Sequence, residues 1–163
     1  MAQQKPGEHG VEGRNATFHK KAGEPTEGRC RDRHDVLIDE PEWSEFGEDR
    51  APSPVDYLMI AVTSCQVSVL SQSFDKAGIE DYEIDVNSTI DRVGADSVPD
   101  EMPAHTANRI QHVDIEIDVT VPDEYAEAAQ RSLDVYDQGC IVGQSFRSGI
   151  DYTPHTSLET TSS

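Results

Sequence analysis

Between Val113 and Val121 the chain alternates without a break. Val113, Ile115, Ile117, Val119 and Val121 are apolar, and Asp114, Glu116, Asp118 and Thr120 between them are polar. A period of two puts every apolar side chain on one face of an extended strand and leaves the other face to water. A second alternation, Tyr82, Ile84 and Val86 against Glu83 and Asp85, supplies a partner strand. Together they predict an antiparallel sheet solvated on one side. They also exclude the disordered acidic chain that composition alone would allow. That reading needs an answer because 32 Asp plus Glu stand against 13 Lys plus Arg in 163 residues, a formal net charge of -19, with only 35% hydrophobic residues.

The charge excludes function classes. A nucleic-acid binder needs a basic face to release counterions, and an anionic membrane surface would repel this chain in the same way. Neither is expected as a partner. Lys5, Lys20, Lys21 and Lys76 are the only lysines. An acid-rich, lysine-poor surface on an ordered core fits adaptation to high salt, where screening removes the self-repulsion, or an acidic protein of no particular habitat. No run of about 18 apolar residues is present, so no membrane span is expected, and the polar opening MAQQKPGEHG lacks the apolar stretch of a secretory signal. A cytoplasmic location is expected. Three cysteines, an odd number, do not read as a secreted disulfide framework.

Residues 1–13 and 155–163 read as flexible ends around one domain over 14–154. Strands are expected at 16–21 and 29–39, separated by a turn from Gly23 to Gly28. Residues 40–54, with Pro41, Gly47, Pro52 and Pro54, form a loop into a helix. Ser53 can cap that helix, Pro54 suits its first position, Asp56 its positive end, and Gly78 its stop. Val55, Leu58, Met59, Val62, Cys65, Val69 and Phe74 form its apolar stripe, which places Cys65 on the buried face. After the two alternating strands a second helix opens at Pro122 and ends at Gly139, with Tyr125, Ala128, Ala129, Leu133 and Tyr136 on one face. A short helical turn follows over 141–146, and a last strand is possible near 150–153. The order is β-β(-β)-α-β-β-α-α, an α+β fold rather than a parallel βαβ one.

Familiar catalytic motifs are absent: no GxGxxG, Walker loop, GxSxG or HExxH occurs, and no CxxC or HxxxH pair predicts a metal. No cofactor is expected. What remains is Cys65 and Cys140. Cys65 can be simply a small hydrophobe in the core. Cys140, just past a glycine break, can be a chance small residue, or a thiol whose pKa is lowered by the unpaired N–H groups of a helix start. Cys30 reads as structural or incidental.

Asp39-Glu40-Pro41, then Pro52-Ser53-Pro54-Val55-Asp56-Tyr57-Leu58-Met59, then Ala61-Val62-Thr63-Ser64-Cys65, resemble the segment that contains the first active-site cysteine in the OsmC/Ohr family. Gly139-Cys140-Ile141-Val142, with Gln144-Ser145-Phe146, resembles that family's second cysteine segment. The resemblance implies an OsmC-like α+β fold, an antiparallel sheet packed on two main helices in an intertwined homodimer. It implies a peroxiredoxin-like thiol peroxidase of oxidative or osmotic stress defence. Cys65 is then the peroxidatic thiol and Cys140 the resolving one, the substrate an organic hydroperoxide or hydrogen peroxide, and the partner an external dithiol reductant. It also implies an arginine from the N-terminal strands beside Cys65. Arg29, Arg31 and Arg33 alternate on one expected strand, and Arg33 and Arg31 are the candidates.

Two departures stand out. Ten residues before the first cysteine the hydroperoxide-resistance branch carries a glutamate that orients the arginine, and this chain has Val55, with Asp56 next to it as a substitute or as a helix-start acid. Phe46-Gly47-Glu48 stands where the family has tandem glycines. The chain therefore resembles the broader OsmC-like group more than the Ohr branch. The competing expectation is a non-catalytic redox sensor or a binder of a small apolar ligand. A cysteine hydrolase is disfavoured because no histidine lies near Cys65 in sequence.

Overall fold

The computed structural model describes residues 15–45, 47–93, 109–150 and 153–157. The chain divides into two compact units, with the boundary after Ile60. The expected flexible ends lie mostly outside the described residues, and the possible strand near 150–153 lies partly outside them.

The first unit holds a three-stranded antiparallel meander, β1 (Ala16–His19), β2 (Thr26–Cys30) and β3 (His34–Ile38), in the order β1-β2-β3. The single strand expected over 29–39 is thus two strands. Arg31 and Asp32 both adopt positive φ, 54° and 50°, and Arg33 N–H donates to Cys30 O at 3.1 Å. Two consecutive positive φ values make the mirror-image turn that suits the twist of a hairpin, and Asp tolerates that region better than most residues. Arg31 and Arg33 consequently sit in a turn instead of sharing a strand face with Arg29.

From β3 the chain enters the expected loop, which Asp39 organises. Its side chain is 5% exposed and accepts hydrogen bonds from the main-chain N–H groups of Glu40 (3.0 Å), Glu48 (3.3 Å) and Arg50 (3.1 Å), and from Arg50 Nε (3.4 Å). The Arg50 main-chain N–H, followed by the other donors, holds the Asp39 carboxyl below its ordinary value despite burial. A depressed carboxyl stabilises the fold above its ordinary pKa, about 3.9, and that contribution is lost as pH falls.

The loop delivers the chain to α1 (Pro54–Ala77) with the expected boundaries. Asp56 N–H donates to Ser53 Oγ at 3.3 Å, and Asp56 Oδ2 accepts from Ser53 N–H and Oγ, both at 2.8 Å. This is a reciprocal capping box with Asp in the third position. Gly78, at φ 74°, stops the helix in the left-handed region where a side chain would be strained. By length and composition α1 is long and apolar enough to cross a membrane, contrary to the expectation that no segment is. The core helix of a soluble protein meets the same criteria.

In the second unit α1 buries Val62, Gln66, Leu70 and Phe74, a run of strict four-residue steps. The expected stripe includes Cys65 and Val69; both are only partly buried, and Leu70 and Gln66 take the central line instead. Leu70, Phe74, Ile79 and Ala129 form the core, with Tyr82, Ile84, Ile117, Val119 and Leu133 packed around it. The Phe74 and Tyr82 rings meet edge to face at 5.1 Å.

The sheet of this unit pairs β4 (Glu83–Val93) with β5 (Arg109–Thr120) antiparallel, with an irregularity between Asp91 and Arg92. The expected second helix is broken: a 3₁₀ turn at Asp123–Tyr125, α2 (Ala126–Leu133), a second 3₁₀ turn at Tyr136–Gly139, then α3 (Ile141–Ser148). The pattern of apolar residues sets the face, but it does not show that Tyr125 to Gly139 changes helical pitch twice.

The register of the hairpin places charges where screening matters. Asp85 lies directly opposite Asp118, and Asn87 and Thr89 face Glu116 and Asp114, all exposed. Like charges directly opposite are destabilising. The melting temperature should therefore rise with salt, and Asp118→Asn should stabilise the fold by roughly 0.2–1 kcal/mol at low ionic strength. A melt independent of salt, with Asp118→Asn neutral or destabilising, would remove this reading.

Candidate active site

The site lies within the second unit, where the start of α3 meets the middle of α1. Tyr136–Gly139 winds the chain into a tight turn, and Cys140 N–H closes it by donating to Asp137 O at 3.2 Å. Gln144 Nε2 donates to the same carbonyl at 2.9 Å, and Arg147 pairs with the Asp137 carboxylate. Cys140 is thereby fixed in an extended conformation, φ -79° and ψ 97°, as the N-cap of α3. Caps are usually oxygen side chains. Here a sulfur accepts instead: Gly143 N–H donates to Cys140 Sγ at 3.2 Å.

Cys140 is completely buried, and its Sγ lies 3.2 Å from Cys65 Sγ, across 75 residues of sequence. Both are free thiols. A disulfide bond is about 2.05 Å long, so a shift of little over an ångström would join them. The geometry makes the two sulfurs unequal. Cys65 is partly exposed, while Cys140 is sealed and directs its S–H toward Cys65.

Burial pushes the Cys140 thiol up from its ordinary value, against the lowering effect of the Gly143 N–H; the neighbouring Cys65 pushes in the same direction as burial. The expectation of a lowered value is corrected. The helix start is present and contributes as expected, but desolvation of the charged form outweighs it.

Glycine at 143 is what allows the sulfur to sit so close. A Cβ there would stand 3.2 Å from Cys140 Sγ and 3.3 Å from Gln66 Nε2, tighter than ordinary contact. Sequence reasoning does not single out Gln66. It is 3% exposed, and among the described residues its Oε1 has no hydrogen-bond partner. A glutamine four residues from both Val62 and Leu70 on a helical ladder is the available signal.

The remaining sequence candidates lie in the first unit. Arg31 is exposed and its guanidinium bonds His34 Nε2 at 3.0 Å, Arg33 occupies the same turn, and Arg29 pairs with Asp35 at 3.3 Å. Asp56 is engaged in the helix cap. Cys30 ends β2, partly buried. Among the described residues no group of three or more His, Cys, Asp or Glu is arranged to hold a metal ion.

A family model for OsmC-like proteins matches residues 47–155, which is more than half of the chain and includes both thiols. The chain belongs to the OsmC-like family. Solved structures agree on the fold. An OsmC-like protein from Mycoplasma pneumoniae matches with a TM-score of 0.63 at 11% identity, covering 85% of this chain and 90% of that one. An organic hydroperoxide resistance protein from Elizabethkingia anophelis matches at 0.59 and 14% identity, covering 86% and 92%. A protein from Legionella pneumophila described as organic hydroperoxide resistance protein OsmC matches at 0.57 and 16% identity, covering 86% and 93%. A search of curated protein sequences returned no match. The mixed α+β fold with antiparallel sheets expected from the sequence is the fold observed.

Two measurements follow from this geometry. A thiol whose pKa is raised by folding stabilises the native state below its ordinary value, about 8.5, and that contribution is lost as pH climbs toward the folded value. Once added hydrogen peroxide has oxidised Cys65 to the sulfenic acid, attack by Cys140 to close the disulfide with loss of water should accelerate with pH through about 8.5 without a neutral plateau, read by stopped-flow; a plateau near neutral pH would contradict a thiol whose pKa is raised by burial. Gly143→Ala should slow that closure several-fold by displacing Cys140 Sγ, with overpacking of about 1–3 kcal/mol partly offset by about 0.5–1 kcal/mol of helix propensity. An unchanged closure rate would show that the sulfur is not confined there.

Proposed function

We propose that this protein is a two-cysteine thiol peroxidase. It reduces organic hydroperoxides or hydrogen peroxide, works without a bound cofactor, acts in the cytoplasm as a homodimer, and is recycled by an external dithiol. One observation carries the reading: two free thiols, one partly exposed and one buried, lie 3.2 Å apart.

The roles follow from access and protonation. Cys65, the sulfur a substrate can reach, attacks as thiolate the hydroxyl oxygen of the hydroperoxide. An S–O bond forms, the O–O bond breaks, and the alkoxide leaves and takes a proton from water. Cys140 then attacks the Cys65 sulfur. The S–S bond forms, the S–O bond breaks, and hydroxide leaves as water with the proton Cys140 had held. Exchange with the dithiol restores both thiols. The cation that a thiolate on an apolar helix requires is assigned by the same reading to Arg33 or Arg31.

One equivalent of cumene hydroperoxide should convert the reduced protein to a Cys65–Cys140 disulfide, detected by peptide mass spectrometry. Cys65→Ser should abolish turnover, and Cys140→Ser should leave a sulfenic acid on Cys65 that dimedone traps. Full activity in Cys65→Ser would sink the proposal. Val55, where the hydroperoxide-resistance branch carries glutamate, favours a second reading as a redox sensor. Stoichiometric disulfide formation with no catalytic turnover would select it.

A further inference from the structure

The Gln66 side chain is unexplained by packing alone. It occupies the centre of the buried ladder of α1, between Val62 and Leu70, where an aliphatic residue would be expected. A buried amide oxygen with no partner forfeits its hydration without recompense, so such a group calls for an explanation. Two donors at the start of α3 are committed elsewhere. Gly143 N–H is given to Cys140 Sγ, and the Cys140 S–H to Cys65 Sγ. Yet the Gln66 amide reaches the same point as the buried sulfur, since a Cβ on Gly143 would touch both Cys140 Sγ and Gln66 Nε2. Among the described residues no donor meets Oε1, so it is an unpartnered acceptor on an amide whose Nε2 borders the same small space at Gly143 as Cys140 Sγ.

Chemistry supplies the donor. When a thiolate attacks a hydroperoxide at its hydroxyl oxygen, that oxygen keeps its hydrogen. The O–H of the substrate becomes the O–H of the sulfenic acid, while only the alkoxide side needs a proton from water. One fixed acceptor can thus hold the same O–H through approach, transfer and product. Resting on the peroxidase reading, we infer that Gln66 Oε1 accepts a hydrogen bond from the hydroxyl that passes from the hydroperoxide to the Cys65 sulfur. In the Michaelis complex it aims the hydroxyl oxygen at the thiolate. In the product it keeps the sulfenic acid protonated and in place until Cys140 attacks. The site selects peroxides that carry an O–H.

Gln66→Met keeps the length of the side chain and removes the acceptor. Because it also removes an unsatisfied polar group, the melting temperature should hold or rise. The second-order rate of Cys65 oxidation by cumene hydroperoxide should fall about ten-fold, the scale of one hydrogen bond made in the transition state. A second readout separates this role from a structural one. In a Cys140→Ala background the sulfenic acid persists, and excess peroxide should drive it to sulfinic acid faster when Gln66→Met is added, because the sulfenic proton is no longer held. Gln66→Leu serves as a second apolar variant for both measurements. An oxidation rate within about two-fold of the parent, or unchanged sulfinic acid formation, overturns the role of Gln66 and leaves the peroxidase reading standing. A parent protein whose Cys65 does not react with hydroperoxide overturns both.

Discussion

Everything chemical in this structure depends on burying one sulfur. Cys140 is the cap of α3, the end of a tight 3₁₀ turn and the neighbour of Cys65 at once, and these roles constrain each other. The Gly143 N–H can reach the sulfur only if Cys140 is extended, and the turn anchored on Asp137 makes it so. Sealing the sulfur raises its pKa, which leaves a proton on the thiol that faces Cys65. Desolvation and hydrogen bonding oppose each other at this atom, and desolvation is the larger.

The second constraint is electrostatic and acts on the same unit. The β4–β5 hairpin turns its apolar residues toward the core cluster of Leu70 and Phe74, which leaves its carboxylates to share the outer face. A net charge of -19 is compatible with a packed fold because the alternation exports it. With so few residues in the core cluster, the regularity of the four-residue ladder along α1 matters more than its size.

Much of this was legible in the sequence because the signals were local. Ser53, Pro54, Asp56 and Gly78 announced both ends of α1, and the capping box and left-handed stop are there. Strict alternation announced β4 and β5. The resemblance around Cys65 and Cys140 pointed to the family that the match over residues 47–155 establishes. The turn that splits β2 from β3 was harder, since Arg31-Asp32 contains neither glycine nor asparagine and takes positive φ anyway. Asp39 is legible only as part of a motif, although its carboxylate gathers three main-chain N–H groups from a loop with no regular structure of its own.

By itself the sequence determined the α+β succession of strands and helices, though not the turn inside 29–39 or the breaks between Asp123 and Gly139, together with the solvent-facing placement of the charge and the two thiols of the site, because periodicity and capping act over a few residues. Tertiary structure alone decided the rest. Whether Cys65 or Gln66 takes the buried line of α1 depends on a rotation of about 100° per residue, which a mixed apolar stripe leaves open. The direction of the Cys140 pKa shift depends on how completely distant segments exclude water from its sulfur. A helix start can be read from neighbours in the chain, whereas desolvation is set by everything that packs around the atom.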